Sequence, residues 1–179
     1  MNVVPTMHDT GARQLPSSRG RPTPPKLVVV AADVADTVSA AGGFIFDSVR
    51  AGWTVEVYLE TIGDDRALRI LGVAACALAA GLDFESEWPD TLYVAAALHE
   101  RNGAVRRIAD ATRRRGGDLV GWGDEWPTPA DVDTSIEHRL SSAAQAFKVY
   151  AMKAAGVTPQ VSPTEPFRSG QRRRAGQSR

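Results

Sequence analysis

Apolar residues in the middle of the chain form two kinds of pattern, continuous runs and helix-spaced repeats. The run KLVVVAA (26–32) is apolar and β-branched, which is typical of a strand buried on both faces of a parallel sheet. After it, apolar side chains recur at helical spacing until Gly52, and TVEVYLE (54–60) predicts a second strand. The apolar spacing then predicts a second helix over 67–81 that ends at Gly81.

The alternation continues in the second half of this region. The segment DTLYVAAAL (90–98) suits a strand or the start of a helix, and its pattern does not separate the two. Helical spacing around 105–109 is followed by a predicted strand, DLVGW (118–122), and a last helix is predicted from about Ser135. Because strand and helix alternate throughout, we expect an α/β fold: an open, mostly parallel, Rossmann-like sheet with helices on both faces.

Both ends of the chain differ from the middle. Residues 1–25 and 157–179 are rich in Pro, Ser, Gly and Arg and poor in large apolar side chains, so we expect two disordered basic tails. The predicted domain therefore covers 26–156. Residues 27–156 contain 12 basic and 19 acidic residues, which makes the domain acidic. The Arg-rich C-terminal tail could bind polyanions weakly through counterion release, or only increase solubility.

Composition also bears on location. The N-terminus has no apolar stretch typical of a secretory signal, and no segment has the roughly 20 apolar residues of a membrane helix, so a cytoplasmic protein is expected. The one cysteine, Cys76, lies in an apolar run and is interpreted as a small core residue. Oligomeric state stays open.

Two carboxylates follow the first predicted strand, although nothing in the hydrophobic pattern of the strand requires a charged residue there. In open parallel sheets, ligands bind beyond the carboxyl ends of the strands, and Asp33 and Asp36 leave the first strand at that edge. The segment after 118–122 leaves a later strand at the same edge, and it leads to His138. Carboxylates gathered with an imidazole suit a divalent metal, so Asp33, Asp36 and His138 are candidate ligands.

The order of these segments resembles the LmbE/PIG-L deacetylase family. In that family the first strand runs into A-H-P-D-D-E, a short spacer and G-G, and here LVVVAADVADTVSAAGG occupies the same place. The segments RALRILGV and VRRIADATRRRGGDLVGW resemble later family elements, and SIEHRLSSAAQAF falls where the family has H-P-D-H-R before an alanine-rich helix. The resemblance covers about 26–155 and depends on order and spacing more than on identities.

The resemblance implies a zinc-dependent hydrolase that removes acetyl groups from N-acetylglucosamine-type substrates. Aligned on the glycine pair Gly42 and Gly43, the family's metal-binding positions fall on Asp33, Asp36 and His138. The general base of the family falls on Ala35, which cannot accept a proton, and the first histidine of the second motif falls on Ser135. The sequence therefore predicts a divergent member with a degenerate zinc site and weak or no hydrolase activity.

The same residues allow other interpretations. Asp36 could be only the N-cap of the following helix, and Thr134 and Glu137 have the spacing of a capping box. A noncatalytic domain that binds a small molecule or a partner is the alternative function. Candidate contacts to an N-acetyl sugar-like ligand are Arg66, Trp122, Asp124 and Arg139.

Overall fold

The computed structural model describes residues 23–82, 84, 87–124, 126 and 135–170. Their strands are β1 Lys26–Ala31, β2 Thr54–Leu59, β3 Ala75–Ala77, β4 Thr91–Ala95, β5 Asp118–Trp122, β6 Ser135–Arg139 and β7 Thr164–Ser169. The helices are α1 Val34–Arg50, α2 Arg66–Ile70, α3 Ala96–Arg101, α4 Gly103–Arg114 and α5 Ser142–Ala154. The alternation of strand and helix expected from the sequence is confirmed.

One open sheet joins the strands in the order β3-β2-β1-β4-β5-β7-β6. The first five strands are mutually parallel, while β7 runs antiparallel to both β5 and β6. The crossover from β1 to β2 and that from β4 to β5 run in opposite directions, so right-handed connections put α1 and α4 on opposite faces. Helices α1, α2 and α5 pack together on one face.

The core lies around β1, between β2 and β4. Every residue from Leu27 to Ala31 has no exposed surface, as expected for a strand covered on both faces. Ile45 of α1 and Leu71 after α2 are also fully or almost fully buried in this core. The position of β1 explains its continuous apolar run, because neither of its faces meets water.

The predicted second helix is wrong over most of its length. It ends at Ile70, and the chain then forms the short edge strand β3 and a 3₁₀ turn, Leu78–Ala80. The helix ends early because Gly72 has a positive φ of +90°, which does not continue a right-handed helix. Glycine adopts this backbone conformation readily, whereas it is strained for other residues. Cys76 is exposed on β3 and does not belong to the core. The ambiguous segment 90–98 proves to be both, β4 followed directly by α3.

The C-terminal assignments also need correction. Residues from Ser135 begin β6, and the last helix begins only at Ser142, capped by the Ser141 hydroxyl. The capping box at Glu137 is therefore wrong, and Thr134 lies outside the described residues. The tail expected over 157–179 is wrong for 164–169, which form β7 inside the sheet. Residues 1–22 and 171–179, the remainder of the predicted tails, also lie outside the described part.

A buried ion pair connects α1, α5 and β7. Lys148 Nζ lies 2.5 Å from Glu165 Oε1 and donates to the Ser39 carbonyl oxygen at 2.7 Å. The two carboxylate oxygens of Glu165 accept the N–H groups of Gly43 and Phe44, each at 2.8 Å. In a regular α-helix the Gly43 N–H group donates to the Ser39 carbonyl oxygen. The Lys148–Glu165 ion pair therefore gives each of these two backbone groups a charged partner in the middle of α1.

Among the described helices, none has both the length and the apolar composition that a membrane crossing requires.

We expect Lys148→Met to destabilise the protein by about 3–5 kcal/mol, because it leaves the Glu165 carboxylate buried without its countercharge. The free energy of unfolding in urea measures this loss. Lys153→Met is the matched control, because Lys153 is exposed on the same helix, and its effect should stay within about 0.5 kcal/mol. A loss below about 1 kcal/mol for Lys148→Met would contradict the role of the pair.

The adjacent glycines of α1 should respond differently to alanine. A Cβ at Gly43 would overlap the Leu140 side chain, whereas one at Gly42 would lie 3.4 Å from Leu71 Cδ1. Gly43→Ala should therefore cost about 1–3 kcal/mol, and Gly42→Ala should be neutral or stabilising because alanine favours helix. Thermal melting compares the two variants. Leu140→Ala should reduce the cost of Gly43→Ala, and strict additivity of the two changes would exclude this overlap as the cause.

Candidate functional site

Asp33 is the N-cap of α1. Its backbone is extended, with φ −155° and ψ 179°, and its carboxylate accepts the Asp36 N–H at 2.9 Å. Its carbonyl oxygen accepts the Thr37 hydroxyl at 2.7 Å. The alternative role of Asp36 as the N-cap is thus wrong, because Asp33, three residues earlier, caps α1.

Asp36 joins the start of α1 to the carboxyl end of β5. Its Oδ1 accepts the indole N–H of Trp122 at 3.2 Å, and Trp122 is only 6% exposed. Burial raises the pKa of Asp36, assisted by the negative charge of Asp33. Hydrogen bonds from Trp122 and the Ala32 backbone and the charge of Arg101 act in the opposite direction but do not cancel the rise in pKa. The Asp36–Trp122 contact confirms that both side chains lie at one sheet edge.

An ion pair spans the same edge. Glu60 follows β2, and Arg101 ends α3, which follows β4, so the pair connects the ends of the two strands that flank β1. The connections from β1 and β4 leave in opposite directions at this point, which is where open α/β sheets bind ligands. Sequence reasoning missed Glu60 and Arg101, because nothing local in either segment indicates a partner 41 residues away.

His138 lies at the other end of α1. Its Nε2 is 3.1 Å from Asp47 Oδ2, and its ring packs edge-on against Phe44, with the ring centroids 5.0 Å apart. Asp36 and Asp47 are separated by about 16 Å along the helix, given a rise of about 1.5 Å per residue. The expected convergence of His138 with Asp33 and Asp36 is therefore wrong. Strand β6 replaces the predicted helix turn and carries His138 away from the edge.

Asp47 holds this second cluster together. It accepts the Ser141 hydroxyl at 2.6 Å and the Ser141 N–H at 3.1 Å, in addition to its contact with His138. Burial acts to raise the pKa of Asp47, but the hydrogen bonds from Ser141 and His138 outweigh it and lower the pKa. Asp47 therefore fastens the turn between β6 and α5 to α1, a role that sequence reasoning also missed.

The candidate substrate contacts are dispersed. Arg66 is exposed and pairs with Asp64, with 2.7 Å between Nη2 and Oδ2, while Asp124 is exposed two residues beyond Trp122. Arg139 follows His138 on β6 and lines the same open cavity, beside Asp47 at the other end of α1. Of these candidates, Trp122 is the one that contacts a proposed metal ligand.

The residues present do not fit a zinc site of the kind that the resemblance implies. Zinc in proteins takes three or four close ligands, and the carboxyl edge supplies Asp33, engaged as a cap, and Asp36, bonded to Trp122. His99 of α3 packs against the Trp126 ring, and His138 is held by Asp47. Within the described residues, no three His, Cys, Asp or Glu side chains are grouped to hold a metal. His8 lies outside that part of the chain.

The similarity of this chain to known proteins lies in its three-dimensional structure. No protein-family model and no curated protein sequence matches the chain. A deacetylase–teicoplanin complex from the teicoplanin biosynthesis pathway matches with a TM-score of 0.58 at 14% identity, over 80% of this chain and 97% of that one. The A40926 pseudoaglycone deacetylase Dbv21 matches with a TM-score of 0.52 at 16% identity, over 71% and 79%.

A third match has a different activity. GalB, the 4-carboxy-2-hydroxymuconate hydratase from Pseudomonas putida KT2440, matches with a TM-score of 0.55 at 13% identity, over 87% of this chain and all of that one. Together the matches show that the chain has the LmbE/PIG-L-like deacetylase fold, as its motifs predicted. Because the fold carries both deacetylases and a hydratase, it does not define the reaction.

The pKa of Asp36 predicts a pH effect on stability. A folded-state pKa above the ordinary 3.8 means that ionisation is harder in the folded protein, so stability falls as pH rises from about 4 through the folded pKa. Asp36→Asn keeps an oxygen for Trp122 and removes the charge, so its melting temperature relative to wild type should increase between about pH 3.5 and 6.

Asp64→Asn is the control for this pH effect. Hydrogen bonds from Arg66 lower the pKa of Asp64, so this variant should lose stability relative to wild type as pH rises. Parallel pH profiles for Asp36→Asn and wild type would contradict the burial of the Asp36 charge.

Proposed function

We propose that this chain is a divergent LmbE/PIG-L-like protein with weak or no amide hydrolase activity, and that it uses the fold to bind a small molecule. The observation that carries the proposal is the contact between His138 and Asp47. It holds His138, the only histidine that the sequence placed among the ligands, against Asp47, which lies about three helical turns from Asp36 along α1. Two carboxylates without an imidazole are a poor site for zinc and give it little selectivity over Mg²⁺ or Mn²⁺.

The position of Ala35 supports the same proposal. Under the resemblance, Ala35 takes the place of the general base, and in α1 it lies between Val34 and Asp36 in the first turn. It lines an open cavity of about 260 Å³ together with Asp33 and Asp64. A methyl group in this position cannot remove a proton from an attacking water, so the amide hydrolysis implied by the resemblance lacks its base.

Binding without turnover is favoured by the carboxyl edge itself. Asp36, Trp122 and the Glu60–Arg101 pair converge where open α/β sheets bind ligands, whatever the chemistry. An N-acetyl sugar-like ligand remains our proposal for this edge. Cytoplasmic location, and polyanion contact by the Arg-rich segment expected over 157–179, stay predictions from the sequence.

Deacetylation assays test the proposal. Full-length protein with one equivalent of Zn²⁺ should release no more free amine from N-acetylglucosamine substrates than Zn²⁺ alone, and His138→Ala should behave identically. A teicoplanin deacetylase serves as the active control, and circular dichroism verifies that both proteins are folded. Zinc-dependent turnover that Asp36→Asn or His138→Ala abolishes would overturn the proposal.

A further inference from the structure

A groove of about 510 Å³ lies between the first turns of α4 and the turn that follows β3. Its walls are aliphatic, formed chiefly by Leu78 and Leu82 on one side and Ile108 on the other, all half-buried. Asn102, Arg107 and Glu60 supply its polar groups. The volume is within the range of small-molecule sites, which runs from about 300 to 1,000 Å³.

The charges facing this groove do not balance. Glu60 is neutralised by its ion pair with Arg101, whereas Arg107 has no carboxylate partner among the described residues. Arg107 lies on the first turns of α4, where the N-terminal end of the helix dipole adds positive potential. Among the described residues, the groove thus combines aliphatic walls with one guanidinium, that of Arg107, which has no carboxylate partner.

This combination selects among ligand classes. A positive rim disfavours ammonium ligands, and the described residues that line the groove include no aromatic ring, so they offer no stacking surface of the kind that sugars and bases use. A single guanidinium suits one carboxylate, which it can bind through two parallel hydrogen bonds. An aliphatic chain ending in a carboxylate satisfies both the walls and the rim.

We propose that this groove binds a small aliphatic carboxylate, with its alkyl chain between Leu82 and Ile108 and its carboxylate on Arg107. The groove includes neither Asp33 nor Asp36. The proposal therefore does not depend on whether the chain hydrolyses amides.

Titration calorimetry with octanoate tests the proposal on the full chain. Octanoate should bind with a Kd of about 1 mM or tighter, and octan-1-ol at least about tenfold more weakly, because the alcohol lacks the charge for Arg107. Shortening the chain from octanoate to hexanoate should weaken binding by about two- to fourfold for each CH₂ removed.

Two arginine variants separate specific from general attraction. Arg107→Gln should weaken octanoate binding about tenfold and leave octan-1-ol unchanged. Arg114→Gln is the matched control: Arg114 is exposed two turns further along α4, outside the groove, and its loss should leave both affinities unchanged. Leu82→Asn should weaken both ligands.

Three results would overturn the proposal: no octanoate binding at about ten times the expected Kd, equal affinity for octanoate and octan-1-ol, or equal losses from the two arginine variants. Both arginines are exposed, so the variants are expected to fold, and thermal melting verifies this. Deacetylation is not measured in any arm, so failure here leaves the proposed function untouched.

Discussion

The Lys148–Glu165 ion pair is the contact on which the arrangement of this molecule depends. Two charges with side chains almost entirely removed from water are costly, and they are tolerated because each is fully engaged. Glu165 accepts two backbone N–H groups of α1 and Lys148 donates to an α1 carbonyl, so the pair fixes β7, α5 and α1 relative to one another. Gly43 also permits the close approach of Leu140 to α1, since a Cβ at this position would occupy the space of the Leu140 side chain.

Once α1 is fixed, its length separates two polar clusters. The N-terminal end holds Asp33 and Asp36 against Trp122, and the C-terminal half holds Asp47 against His138 and Ser141. A helix of this length keeps the two clusters apart, and the pairing of β6 with β7 at the end of the sheet holds His138 beside the C-terminal cluster. The residues at the expected metal-binding positions, Asp33 and Asp36 on one side and His138 on the other, therefore lie in different parts of the structure.

The similarity to deacetylases and to a hydratase shows how this fold can change chemistry. The sheet and its crossovers form a carboxyl edge that can receive a ligand, and the reaction depends on a few side chains placed there. In this chain that edge carries an Asp–Trp hydrogen bond and an Arg–Glu ion pair. The groove beside α4 shares Glu60 with this edge, but the residues proposed to contact its ligand, Leu82, Arg107 and Ile108, belong to neither of these two contacts.

The sequence by itself determined the parallel half of the fold. The apolar run of β1, the helical spacing of α1 and the segments of β2, α4 and β5 were predicted correctly because their burial follows local periodicity. The placement of Asp36 and Trp122 at one edge followed from the same topology. Tertiary structure alone decided β6, whose side chains are mostly exposed, and β7, which contains Pro166 and a buried Glu165, because neither segment has a strand pattern. The position of His138 on β6 was decided in the same way. Strands of this kind depend on pairing with distant segments and on a buried contact between Gly43 and Glu165, 122 residues apart, and no local pattern encodes such a contact.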